Sequence, residues 1–485
     1  EILIGLVGSE MCIRDSYIAV YKRIGEDNTV KKIDKPHITA IPTNRDLQSQ
    51  FVTDIINSKT EDIQPKFVDF NTDLTKGETK KGLPVLYVKN TENGRFTLYY
   101  YYKFGETSNK WLPYAAEYFN YLGTDKMTAE QLKQKFYELA CSYYITVGSR
   151  DMSVSISGLA ENMPEAMKLM EDFIANAKVD KDAYDKYVGI VEKSRADNKL
   201  NQRVNFSRLQ YYGMYGKYSS ALNCPSSAEL KEMDPQKLVD MIKDLKNYKH
   251  SVLYYGPMDM KELTATVNKE HKTAKKPVDG SQNKPYRLQQ TTQNEVYIAP
   301  YEAKNIYMIQ YHNEGKTWNA EQEPIAALFN EYYGGGMNTV VFQELREARG
   351  LAYSAFAMYG TPGYKDDTEY AYTYIISQND KMMDCINTFN SILNTMPKSD
   401  KAFELAKQAL MKRLATSRTT KFSIINAYLN AENLGIDYDI NKKIYEAVPS
   451  MTMDDVAKFE KEHMANKPYR YMIPVSYTHL RAHET

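Results

Sequence analysis

Apolar and polar side chains alternate along residues 95–104 and again along residues 152–158. In the first stretch Phe96 and Leu98 flank Thr97, and the pattern continues through a run of tyrosines. A period of two is typical of a strand with one buried face. We therefore predict strands at both places.

Segments with the periodicity of an α-helix lie between and after these strands. Residues 112–121 carry apolar side chains at helical spacing, and Thr128 with Gln131 forms a capping box that predicts the start of a second helix. A long helix is expected from Asp180. Another is expected after Asp234, because Asp followed by Pro is a common N-cap and first helical residue.

The same order of elements returns in the second half of the chain. The predicted strands there are 305–311, 353–359 and 369–377, and the predicted helices are 320–333, 340–349, 381–395, one from 400, and 454–464. Strands and helices in segregated runs favour an α+β fold over a doubly wound parallel sheet. We expect two homologous units, each a mostly antiparallel sheet packed with helices on one side.

These patterns predict the following organisation. Residues 17–81 would hold the last strand of a preceding domain, at 17–21, followed by a polar linker from 27 to 81. Units at 82–268 and 295–474 would be joined by a second linker at 269–294. Residues 1–16 and 475–485 resemble translated sequencing adapters, so the expectation is a piece of a longer chain, and His479 and His483 in the second stretch are excluded as a metal pair.

Composition excludes several classes of protein. The 62 basic residues balance the 62 acidic ones, which argues against nucleic acid as a partner. Four Cys in 485 residues do not make a disulfide scaffold, and we expect no transmembrane segment because no long apolar run occurs. The source is expected to be bacterial, and the compartment stays open between periplasm and cytoplasm.

The most specific string is GGGMNTVVFQELREARGLAYS, from Gly334 to Ser354. It resembles the C-terminal domains of the insulinase/pitrilysin-like zinc metallopeptidases, the inverzincins. The resemblance implies that Arg346 and Tyr353, seven positions apart, are catalytic, and that Gly334, Gly335 and Gly336 line a substrate cavity.

The physical role implied for the pair is to stabilise the oxyanion of peptide hydrolysis, because a guanidinium and a phenol both donate hydrogen bonds. A purely structural interpretation stays open at this point. Arg346 would then pair with Glu344 or Glu347, and Tyr353 would be a half-buried strand residue.

The metal motif of this family is H-x-x-E-H on a helix, with a further Glu downstream. None of the seven His of this chain forms it. At the matching helix of the first unit the chain reads Tyr114-Ala-Ala-Glu117-Tyr118, and Glu192 falls near the expected third ligand. Phenols are poor zinc ligands at neutral pH. We therefore expect no metal on this chain and treat these four positions as degenerate.

The resemblance implies the second half of a four-domain zinc metalloendopeptidase that degrades peptides or small unfolded proteins in a closed chamber. Its zinc and its catalytic partner would lie in an upstream half, on the same polypeptide or a separate subunit, and this piece alone would be inactive. Two alternatives remain open. One is a non-catalytic subunit of a heteromeric peptidase, and the other is a peptide-binding or assembly protein of the same fold.

Overall fold

The computed structural model describes residues 49–59, 61–301 and 305–475. The chain divides into two units, Glu1–Asp62 and Ile63–Thr485. In the described part of the first unit, α1 spans Gln50–Asn57. The strand predicted at 17–21 and nearly all of the adapter-like ends lie outside the described residues.

The second unit contains two sheets, one in each predicted repeat. The first repeat is built around six strands: β1 (Thr75–Glu78), β2 (Pro84–Lys89), β3 (Arg95–Tyr102), β4 (Cys141–Val147), β5 (Met152–Leu159) and β6 (Ser251–Gly256). Their order across the sheet is β1-β2-β6-β3-β5-β4. Only β2 and β6 pair in parallel in this sheet, among the described pairs.

The second sheet repeats this arrangement. Its strands are β7 (Glu295–Pro300), β8 (Asn305–His312), β9 (Ala352–Gly360), β10 (Tyr370–Gln378) and β11 (Arg470–Val475). The order β7-β11-β8-β10-β9 matches β2-β6-β3-β5-β4 strand for strand, and the one described parallel pair, β7 with β11, corresponds to β2 with β6. The α+β fold with two mostly antiparallel sheets is therefore confirmed.

The helices also occur in matching order, except that the last helix of the first repeat has no counterpart among the described residues. Those of the first repeat are α2 (Leu112–Phe119), α3 (Ala129–Glu138), α4 (Met163–Asn176), α5 (Lys181–Lys199), α6 (Gln202–Tyr215), α7 (Ser227–Glu232), α8 (Pro235–Lys243) and α9 (Met260–Glu270). Those of the second are α10 (Glu323–Phe329), α11 (Val340–Phe342), α12 (Met382–Asn394), α13 (Asp400–Thr416), α14 (Ser423–Leu434), α15 (Ile440–Ala447) and α16 (Met453–His463). The capping box at Thr128 and the Asp234 cap are present as predicted.

Each sheet buries one face against helices of its own repeat. On β3, the side chains of Phe96, Leu98 and Tyr100 are almost fully buried in the first core. The alternating partners Tyr99 and Tyr101 point to the other face. This is the geometry that a period of two produces.

The opposite face of each sheet is covered by a helix from the other repeat. Ile425 and Leu429 of α14 pack on Leu86, Val88 and Leu253 of the first sheet. Reciprocally, α6 contributes Phe206 and Met214 to a cluster on the second sheet, which contains Ile309, Tyr311 and Met472. The sequence predicted helices on one side of each sheet. In the structure, a helix from the other repeat also covers the second side, so the two repeats exchange helices.

Two local expectations need correction. The predicted polar linker at 27–81 includes α1 and β1, and β1 pairs with β2 through a turn at Gly82. The helices predicted at 320–333 and 340–349 are shorter α-helices that continue as π-helical turns over Asn330–Gly334 and Gln343–Glu347. In the linker predicted at 269–294, no helix or strand follows the end of α9.

No helix in the described ranges is long and apolar enough to cross a membrane.

Candidate functional site

The string from Gly334 to Tyr353 begins at the last residue of a π-helical turn and continues through α11, a second π-turn and a tight reversal into β9. The reversal centres on Gly350, whose φ of 56° lies in the left-handed region that favours glycine. The Leu351 amide then donates to the Leu345 carbonyl at 2.9 Å. Lys381 Nζ closes the turn by donating to the Gly350 carbonyl at 3.1 Å.

Tyr353 occupies an unpaired position in β9. In the register with β10, Ser354 faces Ile376 and Ala352 faces Ser377, so Tyr353 is the extra residue of a β-bulge. Bulges redirect a side chain and are common next to active sites. The Tyr353 side chain is 78% exposed, so the alternative expectation of a half-buried strand residue is wrong.

Arg346 lies beside Tyr353. Its guanidinium carbon is 5.8 Å from the centre of the Tyr353 ring and 4.9 Å from that of Phe342. Cation–π contact of this kind orients a guanidinium while its N–H groups remain available. The structure thus brings together the two residues predicted to act as a pair.

The carboxylates near Arg346 hold it weakly. Glu344, one of the two expected partners, pairs instead with Arg349. Glu347 approaches the Arg346 Nε only to 4.0 Å, with both side chains about half exposed. Exposed pairs at this distance contribute little. Arg346 is therefore able to bind an anionic group from another molecule.

The three glycines have different surroundings. A Cβ on Gly334 would lie 2.1 Å from the Ala357 carbonyl oxygen of β9, so a close backbone approach requires glycine there. A Cβ on Gly335 would meet nothing within 4 Å, and one on Gly336 only a methyl group of Thr339 at 3.6 Å. Gly335 and Gly336 are exposed. Contact between this loop and a substrate stays a prediction.

The four degenerate positions each have a protein partner. The Tyr114 hydroxyl accepts from Arg195 Nη2 at 3.0 Å. Glu117 Oε2 accepts from the Tyr187 hydroxyl at 2.8 Å. Glu192 pairs with Lys231 at 3.2 Å. Arg195 and Tyr187, both on α5, are functional candidates that the sequence reasoning missed. The spacing of Arg195 three residues after Glu192 was the available signal, since such residues share a helix face.

Tyr118 is a structural residue. Its hydroxyl donates to the Asp180 carbonyl at 2.7 Å and accepts from the Asp180 amide at 3.1 Å, which fixes the start of α5. In the second repeat the Tyr332 hydroxyl makes the same pair of bonds, to the Pro397 carbonyl and from the Ser399 amide, before α13. Burial raises the pKa of both phenols.

These positions do not fit zinc. A metal would need deprotonated ligands, but burial raises the pKa of Tyr114, and its oxygen already faces a guanidinium. Among the described residues, no group of three or more His, Cys, Asp or Glu side chains could hold a metal ion.

A family model described as "Peptidase M16 inactive domain" matches residues 233–410, which include Arg346 and Tyr353. The chain carries the M16 peptidase fold. The resemblance to insulinase- and pitrilysin-like peptidases, inferred from the string Gly334–Ser354, is thereby confirmed.

Solved M16 and protease structures show the same fold at low identity. The M16 inactive domain from Pseudomonas fluorescens aligns with a TM-score of 0.64 and 14% identity over 83% of this chain and 98% of its own. The ferredoxin protease FusC, solved as a mutant in complex with Arabidopsis ferredoxin, aligns with a TM-score of 0.65 and 12% identity over 87% of this chain. The periplasmic protease PqqL from Escherichia coli aligns with a TM-score of 0.64 and 12% identity over 91% of this chain.

This chain spans about half the length of some of these relatives, 48% of the FusC chain and 49% of the PqqL chain. The first half of PqqL by itself also aligns, with a TM-score of 0.62 and 11% identity over 86% of this chain and 95% of its own. The repeated M16 unit therefore fits either half by fold alone. The comparison with curated proteins gave no match.

Proposed function

We propose that this chain is the C-terminal half of a zinc metalloendopeptidase that degrades peptides or small unfolded proteins in a closed chamber, and that it lacks the zinc motif but supplies residues that stabilise the oxyanion. Arg346 and Tyr353 would reach the scissile bond from the edge of the second sheet. The zinc would be held by an upstream half, on the same polypeptide or on a separate subunit. The observation that carries the proposal is the pairing of Arg346 with an exposed Tyr353 on a bulge.

The chemistry of the pair suits a transition state better than a ground state. Hydrolysis of a peptide develops negative charge on the carbonyl oxygen, and a guanidinium and a phenol can donate hydrogen bonds to it. Each such donor contributes on the order of 3 kcal/mol. Since Arg346 is about half exposed, it would be most effective once a partner half closes over it and excludes water.

A mixing experiment tests the proposal. Peptidase activity is measured for the upstream half alone, for this chain alone, and for both together, each with and without a chelator. Activity is expected only from the combination and only without the chelator. Full activity of the upstream half alone would make this chain a binding or assembly module, and chelator-sensitive activity of this chain alone would contradict the absence of a metal site.

The role of the positive charge is tested in the same assay with Arg346→Gln, with Arg349→Gln as the matched control. Both side chains lie in one segment, but Arg349 is engaged by Glu344. A loss of kcat confined to Arg346→Gln supports the proposal, whereas equal activity of the two variants contradicts it.

A further inference from the structure

A cavity of about 990 Å³ opens in the first repeat at the degenerate positions. It lies between α2, α5 and α6 and the segment that follows α6, and Tyr114 and Glu117 are part of its wall. Its size is within the range of ligand pockets. The exposed rings of Tyr121 and Tyr211 and the side chain of Ile190 add apolar surface to a polar lining.

The charged groups of this cavity are unequal in number. Five basic side chains line it, against two acidic ones. The basic residues are Lys110, Lys133, Arg195, Arg203 and Arg208, and the acidic residues are Glu106 and Glu117. The imbalance is local, because the whole chain has a formal net charge of zero.

Most of the basic groups have no acidic partner. Lys110 pairs with Glu229 at 2.7 Å. Within the described ranges, no Asp or Glu forms an ion pair with Lys133 or with the three arginines. Uncompensated positive charge at a partly apolar cavity is suited to an anionic ligand.

The two carboxylates of the wall are already engaged. Glu106 Oε1 accepts from the Tyr286 hydroxyl at 3.0 Å, and Glu117 Oε2 accepts from the Tyr187 hydroxyl at 2.8 Å. Burial raises the pKa of Glu106, although the bond from Tyr286 opposes this effect. Because of these contacts, Glu106 and Glu117 compete only weakly with a ligand for the arginines.

Arg195 is fixed in the cavity wall by protein contacts that use only one of its terminal nitrogens. Its Nη2 donates to the Tyr114 hydroxyl at 3.0 Å and to the Pro225 carbonyl at 2.8 Å. A guanidinium has five N–H donors in a fixed plane, so its other edge remains for a carboxylate. The Tyr114 phenol is protonated at neutral pH, since burial raises its pKa, and it can donate its own hydrogen into the cavity.

We propose that this cavity binds peptide segments that carry carboxylates, with Arg195 as the anchoring cation and Arg203 and Arg208 as the flanking ones. Beside Tyr114, this chain presents a guanidinium that recognises acidic side chains or a peptide C-terminus. The inference goes beyond the proposed function and does not depend on it, because binding requires neither Arg346 nor Tyr353.

The test is fluorescence anisotropy with a short labelled peptide of alternating Glu and Tyr, added to this chain. The peptide is prepared with a free C-terminus, with a C-terminal amide, and with every Glu replaced by Gln. Binding is expected to weaken with added salt. Retention by the amidated peptide assigns recognition to side-chain carboxylates, and its loss assigns recognition to the terminal one. The proposal would be overturned if the Gln peptide bound as tightly as the Glu peptide both with a free C-terminus and as a C-terminal amide.

Three variants separate recognition from folding. Arg195→Gln and the exposed Arg208→Gln are each expected to weaken binding about tenfold or more, since charged hydrogen bonds to a carboxylate are lost. Arg413→Gln, on the exposed face of α13, is the control and should bind like the wild type. Because Arg208 is exposed and has no ion pair among the described residues, its variant should fold normally even if Arg195→Gln does not. Unchanged affinity of Arg208→Gln and Arg195→Gln would contradict the proposal.

Discussion

Tyr353 is exposed because one residue of β9 has no partner on β10. A strand in regular register would turn successive side chains to opposite faces, so a single insertion decides which side chains reach solvent. The sequence string around Arg346 was sufficient to predict that Arg346 and Tyr353 act as a pair. The bulge could not be predicted, because it depends on how Ser377 and Ile376 align with β9 across the sheet.

Glu460 provides a prediction at the same scale. It is buried in α16, its Oε1 has no hydrogen-bond partner among the described residues, and burial raises the pKa of its carboxyl to about 7. A group with a raised folded pKa binds its proton more tightly in the folded state, so stability falls as pH rises from the ordinary Glu value towards about 7. Glu460→Gln should therefore raise the melting temperature, and by more at about pH 8 than at about pH 5.

The control for this prediction is Glu462→Gln in the same helix, where the side chain is exposed. Melting curves of the wild type and both variants across that pH range are sufficient. A pH-independent difference for Glu460→Gln, or the same gain from Glu462→Gln, would contradict the assignment.

At the scale of elements, local signals determined which predictions succeeded. Helix starts at Thr128 and Asp234 were found because their caps satisfy backbone amides within a few residues. The helices predicted at 320–333 and 340–349 end as α-helices at Phe329 and Phe342, and the π-turns that follow were not predicted, because a π-turn has the same side-chain pattern as an α-helix over so short a span. His463 shows the same limit, because it is buried against Gln322 and Glu314, which come from distant parts of the chain.

The glycine loop gives a prediction for this scale. Gly334→Ala should destabilise the second repeat by about 1–3 kcal/mol, because its Cβ would overlap the Ala357 carbonyl and force the turn away from β9. Gly335→Ala is the matched control, since nothing lies within 4 Å of its Cβ. Urea unfolding midpoints of both variants test this, and equal midpoints would show that Gly334 is not needed for packing.

At the scale of the molecule, the exchange of α6 and α14 joins the two repeats. Sequence periodicity predicted the two sheets and their repetition, but not which repeat a helix covers. The apolar residues of α14 are local in sequence to one core, and only the three-dimensional arrangement places them on the other. The positions on α2 divide in the same way: the sequence shows Tyr114 and Tyr118 where the resemblance would place His, but it does not show that Tyr114 contacts the guanidinium of Arg195.

The exchange predicts a cross-repeat effect on stability. Ile425→Ala removes a fully buried side chain of the second repeat that packs on the first sheet, so it should cost about 2–5 kcal/mol and lower the melting of both repeats together. Ile190→Ala, where the side chain is 53% exposed, is the control and should change little. The coupling would be contradicted if calorimetry showed two separate transitions and Ile425→Ala shifted only one of them.

The proposed function requires Tyr353 to stabilise the transition state of peptide hydrolysis in the assembled peptidase. The most direct measurement is kcat and KM for Tyr353→Phe in the complete enzyme, beside Tyr137→Phe, whose side chain is similarly exposed but lies on α3. We expect a fall in kcat of about 10²-fold or more for Tyr353→Phe with KM little changed, and normal kinetics for Tyr137→Phe. Wild-type kcat for Tyr353→Phe would contradict it.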